Sequence, residues 1–248
     1  MACKILMTTI IGIKTNVEDE AIILASDTQM NYFDEDDNVI AKRPMLKMIN
    51  GDFWALAYSG ADTNELRSFY NRLRNPEDRR YKNFGKGKLA EMMIRAINKK
   101  RFYEINELNA KYIREGGDLE SADEFLMAIN KPKVDIFHID VFGNLKNSEN
   151  ENYLVLGSGK DEAEKYIEEC IEGETFDSYN INIESAIRLC TGALKKARYD
   201  IFSGGPMDLV VVRSDKVYSY GEKIKNSLKV AEMKVLEEII KDVKKNNS

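Results

Sequence analysis

The spacing of apolar residues along this 248-residue chain switches between two periods, and the order of the switches leaves few folds open. Residues 9–14 and 21–29 are apolar and Ile-rich, separated by the polar turn Asn16-Val17-Glu18-Asp19-Glu20, which predicts a pair of strands. Residues 39–50 and 53–59 add two extended stretches behind Asp34-Glu35-Asp36-Asp37-Asn38, an acidic run that reads as a solvated hairpin tip rather than a cation site. Beyond Gly60 the spacing turns helical, first through Leu66, Phe69, Tyr70 and Leu73 up to Pro76, then through Leu89, Met92, Met93, Ala96 and Ile97. The charged residues 102–124, with Gly116-Gly117, read as an extended helix and an exposed loop. Strands return at 125–130, 134–142 and 152–156. Two amphipathic helices follow, through Ala163, Tyr166, Ile167, Cys170 and Ile171 and through Ala186, Leu189, Cys190, Ala193 and Ala197. Met207-Asp208-Leu209-Val210-Val211-Val212 is a buried strand, Val217-Tyr218 a short one, and residues 227–244 a tail helix with the stripe Leu228, Ala231, Val235, Ile239, Val243. Strands, two helices, strands, two helices, strands predicts an α+β chain: a four-layer αββα sandwich, two antiparallel sheets between helical layers.

Composition narrows the chemistry. The 42 acidic and 37 basic residues give a net charge of −5, which offers no electrostatic case for nucleic acid. No apolar run approaches the ~18–20 residues that span a bilayer, so a membrane partner is not expected and the cytoplasm is the expected location. Cys3, Cys170 and Cys190 are scattered, with no C-x-x-C pair, so no disulfide framework, metal or other cofactor is expected. The single histidine, His138, sits in the alternating run Val134 to Asp140 and reads as one face of a strand rather than a catalytic base.

Chemistry without histidine is available at the front of the chain. Thr8 stands just before the first strand, in Met7-Thr8-Thr9-Ile10-Ile11-Gly12, and Asp27 ends the next strand, in Ala25-Ser26-Asp27-Thr28. If the peptide before Thr8 is cut, one residue carries both a nucleophilic hydroxyl and an α-amine that titrates at roughly 7.7–8.0 when unperturbed and can serve as its base.

Three segments then resemble the proteasome β-subunit family of N-terminal nucleophile hydrolases, including its bacterial relative, the peptidase partner of an ATP-dependent unfoldase. Thr8-Thr9-Ile10-Ile11-Gly12 with Asp27 is similar to the family's Thr-Thr-x-x-Gly start and its acidic residue after the second strand. Leu156-Gly157-Ser158-Gly159, leading into a helix, resembles its Gly-Ser-Gly turn. Arg198-Tyr199-Asp200-Ile201-Phe202-Ser203-Gly204-Gly205-Pro206 is similar to its Arg-Asp-x-x-Ser-Gly-Gly, with one extra residue between Arg198 and Asp200. The resemblance implies a threonine nucleophile at Thr8, with Ser158, Asp200 and Ser203 around the amine, and homo-oligomerisation, as a ring, with an ATP-dependent unfoldase as a further partner.

The family also places a lysine near the Asp27-type residue. Counting from Asp27 brings Lys42 and Arg43 nearest, counting back from Leu46 and Ile49 gives Met45, and counting back from Gly60 falls within one residue of Lys47, the preferred assignment. For the oxyanion donor the family's glycine is matched by Gly60, whereas the helix phase from Asp62 favours Tyr58 or Ser59, and a Tyr58 in that slot narrows the cleft. Residues 1–7 are expected to be removed as a propeptide, or Met7 is the true initiator; residues 8–220 form the sandwich domain and 221–248 a helical extension. The expected function is a threonine peptidase or amidohydrolase acting on peptide or protein substrate. The alternatives are a peptide ligase or transpeptidase using the same acyl-threonine, and a non-catalytic ring subunit that never frees Thr8.

Overall fold

A computed structural model describes residues 4–5, 8–16, 20–33, 39–44, 47–52, 54–59, 124–130, 133–139, 145–147, 152–173, 181–199, 204–221 and 232–245. Thirteen strands and three helices lie among these residues. The strands are β1 (Lys4–Ile5), β2 (Thr9–Lys14), β3 (Ala21–Asp27), β4 (Gln29–Phe33), β5 (Val39–Pro44), β6 (Met48–Asn50), β7 (Trp54–Ser59), β8 (Glu124–Ile129), β9 (Asp135–Ile139), β10 (Leu145–Asn147), β11 (Tyr153–Gly157), β12 (Met207–Arg213) and β13 (Val217–Ser219). The helices are α1 (Lys160–Glu172), α2 (Ile183–Ala197) and α3 (Glu232–Lys245). The two expected helices between Gly60 and residue 100, and the charged segment 102–124 up to β8, lie outside the described residues.

Two five-stranded antiparallel sheets stack face to face, ordered β11-β2-β3-β12-β13 and β10-β9-β8-β7-β6. The first sheet is covered on both sides, which is why β2, β3 and β12 read as continuous apolar runs rather than alternating ones. Ile10, Ile22, Leu24, Val210 and Val212 point toward the second sheet and meet Ala55, Ala57, Leu126, Ala128 and Ile136. Ile11, Ile13, Ile23, Ala25, Leu209 and Val211 point the other way, onto Ala163 and Ile167 of α1 and Ala186, Leu189, Cys190 and Ala193 of α2. At Gly12 the facing sheet leaves no room for a side chain: a Cβ there would lie 2.2 Å from Ile136 Cδ1. The tail helix packs on its own chain, with Leu236, Ile239, Ile240 and Val243 joining the α1–α2 core. Lys244 bonds Glu184 of α2, and Arg213 Nη1 donates to Val243 O at 3.4 Å. No described helix is long and apolar enough to cross a membrane.

Two strand assignments from the sequence are corrected. The run 21–29 is not one strand. It breaks at Thr28, whose Oγ1 donates to Pro206 O at 2.7 Å, while Gln29 N turns toward Gly204 O at 3.0 Å. The chain then leaves the first sheet, because β4 pairs with β5 and β1 in a separate three-stranded sheet. The run 39–50 likewise divides into β5, in that small sheet, and β6, at the edge of the second five-stranded sheet.

Helix α2 begins where Asn182 Oδ1 accepts Ser185 N at 2.9 Å, satisfying one of the amides that no helical carbonyl can reach. Asn182→Ala is expected to cost about 1 kcal/mol, measured by urea unfolding, with no change at the site described next.

Candidate active site

The site forms where β2 starts and β3 ends. Antiparallel pairing of these neighbours, Ile10 opposite Ser26, sets Thr8 beside Asp27. Thr8 Oγ1 donates to Asp27 Oδ1 at 2.6 Å, and Thr9 N donates to Asp27 Oδ2 at 2.9 Å. Both carboxylate oxygens are thus engaged by the first two residues of the Thr-Thr pair. Asp27 Oδ1 also accepts Gln29 N at 3.2 Å, so the corner that ends β3 holds the carboxylate in place.

Lys47, just before β6, reaches the same oxygen: its Nζ lies 3.0 Å from Asp27 Oδ1 and donates also to Gln29 O. Its side chain is fully buried and the Asp27 side chain 4% exposed. Burial lowers the Lys47 pKa from its ordinary value, against the charge and hydrogen bond of Asp27, which raise it. A hydroxyl and an ammonium therefore converge on one carboxylate oxygen in a site closed to water, where charge interactions are strong.

The Thr8 main chain is held as closely as its side chain. Ser158 N donates to Thr8 O at 3.2 Å and Ser59 Oγ at 3.3 Å. Gly157, at the end of β11 and paired with Thr9 of β2, has φ +97°, and a Cβ on it would lie 1.5 Å from Thr8 O, so that position excludes any side chain. The Gly-Ser-Gly turn thus brings a backbone donor to Thr8 only because its first residue is glycine. The third motif anchors the β3 corner from the other side. Arg198, after α2, donates from Nη2 to Gly205 O at 3.0 Å, and Gly204 and Pro206 carry the carbonyls that meet Gln29 and Thr28.

Of the residues singled out in the sequence, Thr8, Asp27 and Lys47 come together and Ser158 joins them through its backbone. Asp200, Ser203 and Gly60 lie outside the described residues. Lys42 and Arg43 sit on β5, paired with Asn31 and Met30 of β4. Tyr58 does not narrow the site. Its amide donates to Lys47 O at 3.1 Å, and strand alternation turns its side chain to the face of β7 opposite Ala57 and Ser59, where it is buried. His138, on β9, bonds Glu124 at 3.1 Å. Ser59 was visible in the sequence only as a residue near the glycine slot, and its hydroxyl contact with Thr8 carried no signal there.

No family model matches the sequence, and no curated protein matches it. Among solved structures, the chain is similar to eukaryotic HslV from Trypanosoma brucei, with a TM-score of 0.53 and 18% identity over 83% of this chain and 99% of that one. At that identity the likeness shows the fold: an α+β sandwich of two stacked antiparallel sheets with helices, the HslV-like, proteasome-like arrangement that the sequence motifs implied.

Proposed function

We propose that this chain is a threonine-type peptidase or amidohydrolase in which Thr8, freed by loss of residues 1–7, is the nucleophile. The observation that carries the reading is the convergence of Thr8 Oγ1 and Lys47 Nζ on Asp27 Oδ1, at 2.6 and 3.0 Å. A buried threonine, lysine and aspartate in contact are costly to assemble for packing alone. In chemistry they make sense together. Thr8 Oγ1 attacks the substrate carbonyl while the free α-amine takes the hydroxyl proton and later returns it to the leaving amine. Lys47 supplies positive charge beside the oxygen that becomes an alkoxide, and Asp27 fixes both groups. In this reading the sequence motifs assign the oxyanion donor to a backbone N–H in the Gly60 segment and the support of the amine to Asp200, Ser203 and Ser158. Water then releases the acyl group from Thr8. The HslV-like fold also supports a homo-oligomeric ring in the cytoplasm that receives peptide or unfolded protein from an ATP-dependent partner.

N-terminal sequencing and intact mass of the protein from its native host, followed by reaction with an activated peptide ester, test the reading. The expected result is a chain beginning at Thr8 that gains one acyl group, mapped by peptide mass to Thr8. A chain that begins at Met1 or Ala2 and takes up no acyl group would overturn it and leave a non-catalytic ring subunit.

A further inference from the structure

Thr8 is gripped from two directions, and one of the grips comes from the other sheet. On its side chain and amide side, Asp27 of β3 holds Oγ1 and the Thr9 amide. On its carbonyl, Ser158 N donates at 3.2 Å from the end of β11, in the same sheet. The second donor to that carbonyl, Ser59 Oγ at 3.3 Å, ends β7 in the facing sheet. Ser59 is 7% exposed, Thr8 is fully buried, and a Cβ at Gly157 would lie 2.9 Å from Ser59 Oγ, so the hydroxyl sits directly over the glycine that leaves room for the carbonyl. Among the described residues, it is the one side chain of the second sheet bonded to Thr8.

We infer that Ser59 is a positioning residue for the Thr8 nucleophile, an inference that rests on the threonine reading above. Its hydroxyl and the Ser158 amide fix the Thr8 peptide plane, so rotation about the Cα–C bond is blocked. The carbonyl anchors set the direction of the α-nitrogen while Asp27 holds Oγ1, so together the two grips present both groups in one relative geometry. Two donors from two sheets also make that geometry depend on how the sheets are stacked. An error of about 1 Å in a reacting group can cost on the order of a hundredfold in rate. The loss of one neutral hydrogen bond removes far less, and the expected effect lies between a few-fold and about tenfold.

The test compares Ser59→Thr with Ser59→Val in the purified mature protein, whose chain begins at Thr8. The two side chains have nearly the same shape, both suit a strand, and only threonine keeps the hydroxyl. Acylation by an activated peptide ester is followed by intact mass against ester concentration, alongside thermal unfolding of each variant. The expected result is a limiting acylation rate within about twofold of wild type for Ser59→Thr and about three- to tenfold lower for Ser59→Val, with similar half-saturating ester concentrations. The two variants should melt within about 2–4 °C of each other, the cost of one hydrogen bond, and the change confined to the limiting rate is what a merely structural hydroxyl would not produce. Equal limiting rates for the two variants, with wild type acylated at Thr8, would overturn the role of Ser59 and leave the threonine reading intact. Wild type that never acquires an acyl group at Thr8 overturns that reading, and the positioning role with it.

Discussion

Asp27→Asn is expected to destabilise the fold by about 3–5 kcal/mol, the cost of removing one partner from a buried ion pair. The size follows from what remains. Lys47 stays in place, fully buried, with its ammonium facing a neutral amide where it had a carboxylate 3.0 Å away. Burial already lowers its pKa, and Asp27 is the group that pulls the value back up. Without that charge the amine is easier to deprotonate. The pH dependence has a definite sign: the folded chain binds the Lys47 proton less readily than the unfolded chain, so stability rises as pH climbs toward the ordinary lysine value. Urea unfolding at pH 7 and pH 9 reads both effects, and the variant should recover part of its loss at the higher pH, more than wild type gains. A loss below about 1 kcal/mol, unchanged between the two pH values, would mean that Lys47 finds another counter-charge.

Thr8→Ala is expected to lower turnover at least about a thousandfold while leaving the sandwich folded. The variant loses the hydrogen bond to the Asp27 carboxylate, worth about 1.5–3 kcal/mol, and that oxygen keeps Lys47 Nζ and Gln29 N as donors. Stability and rate should therefore separate: a modest shift in the unfolding midpoint and a near-complete loss of acyl transfer. Thr8→Ser, which keeps the hydroxyl, should retain measurable turnover. Residual activity within tenfold of wild type in Thr8→Ala would move the nucleophile to another hydroxyl, such as Ser59, whose Oγ lies 3.3 Å from the Thr8 carbonyl.

The parts of this arrangement that local pattern encodes were legible in the sequence. Thr8 and Asp27 sit at the ends of consecutive apolar strands, and consecutive antiparallel strands place such ends side by side. The helix faces of α1 and α2 repeat at the helical period, so their buried residues could be named. Lys47 was harder to choose because the stretch that contains it changes sheets. Counting forward from Asp27 follows β4 and β5 into the small sheet and arrives at Lys42, opposite Asn31. Only pairing between β6 and β7, with Tyr58 N on Lys47 O, brings Lys47 back toward Asp27. The break at Thr28 was hidden for a related reason: its cause is Gly204 and Pro206, about 180 residues away, and no local period reports a distant carbonyl.

Asp27 belongs to β3, a strand whose every residue is buried and which lies between β2 and β12 with sheet on one face and helices on the other. Such a strand cannot fray or detach by itself, since releasing it opens two ladders and two cores at once. The carboxylate that holds Thr8 is thus wired into the cooperative unit of the whole fold rather than into a movable lip. Heating is expected to leave the reacting geometry unchanged until the sandwich melts, so that the two disappear together.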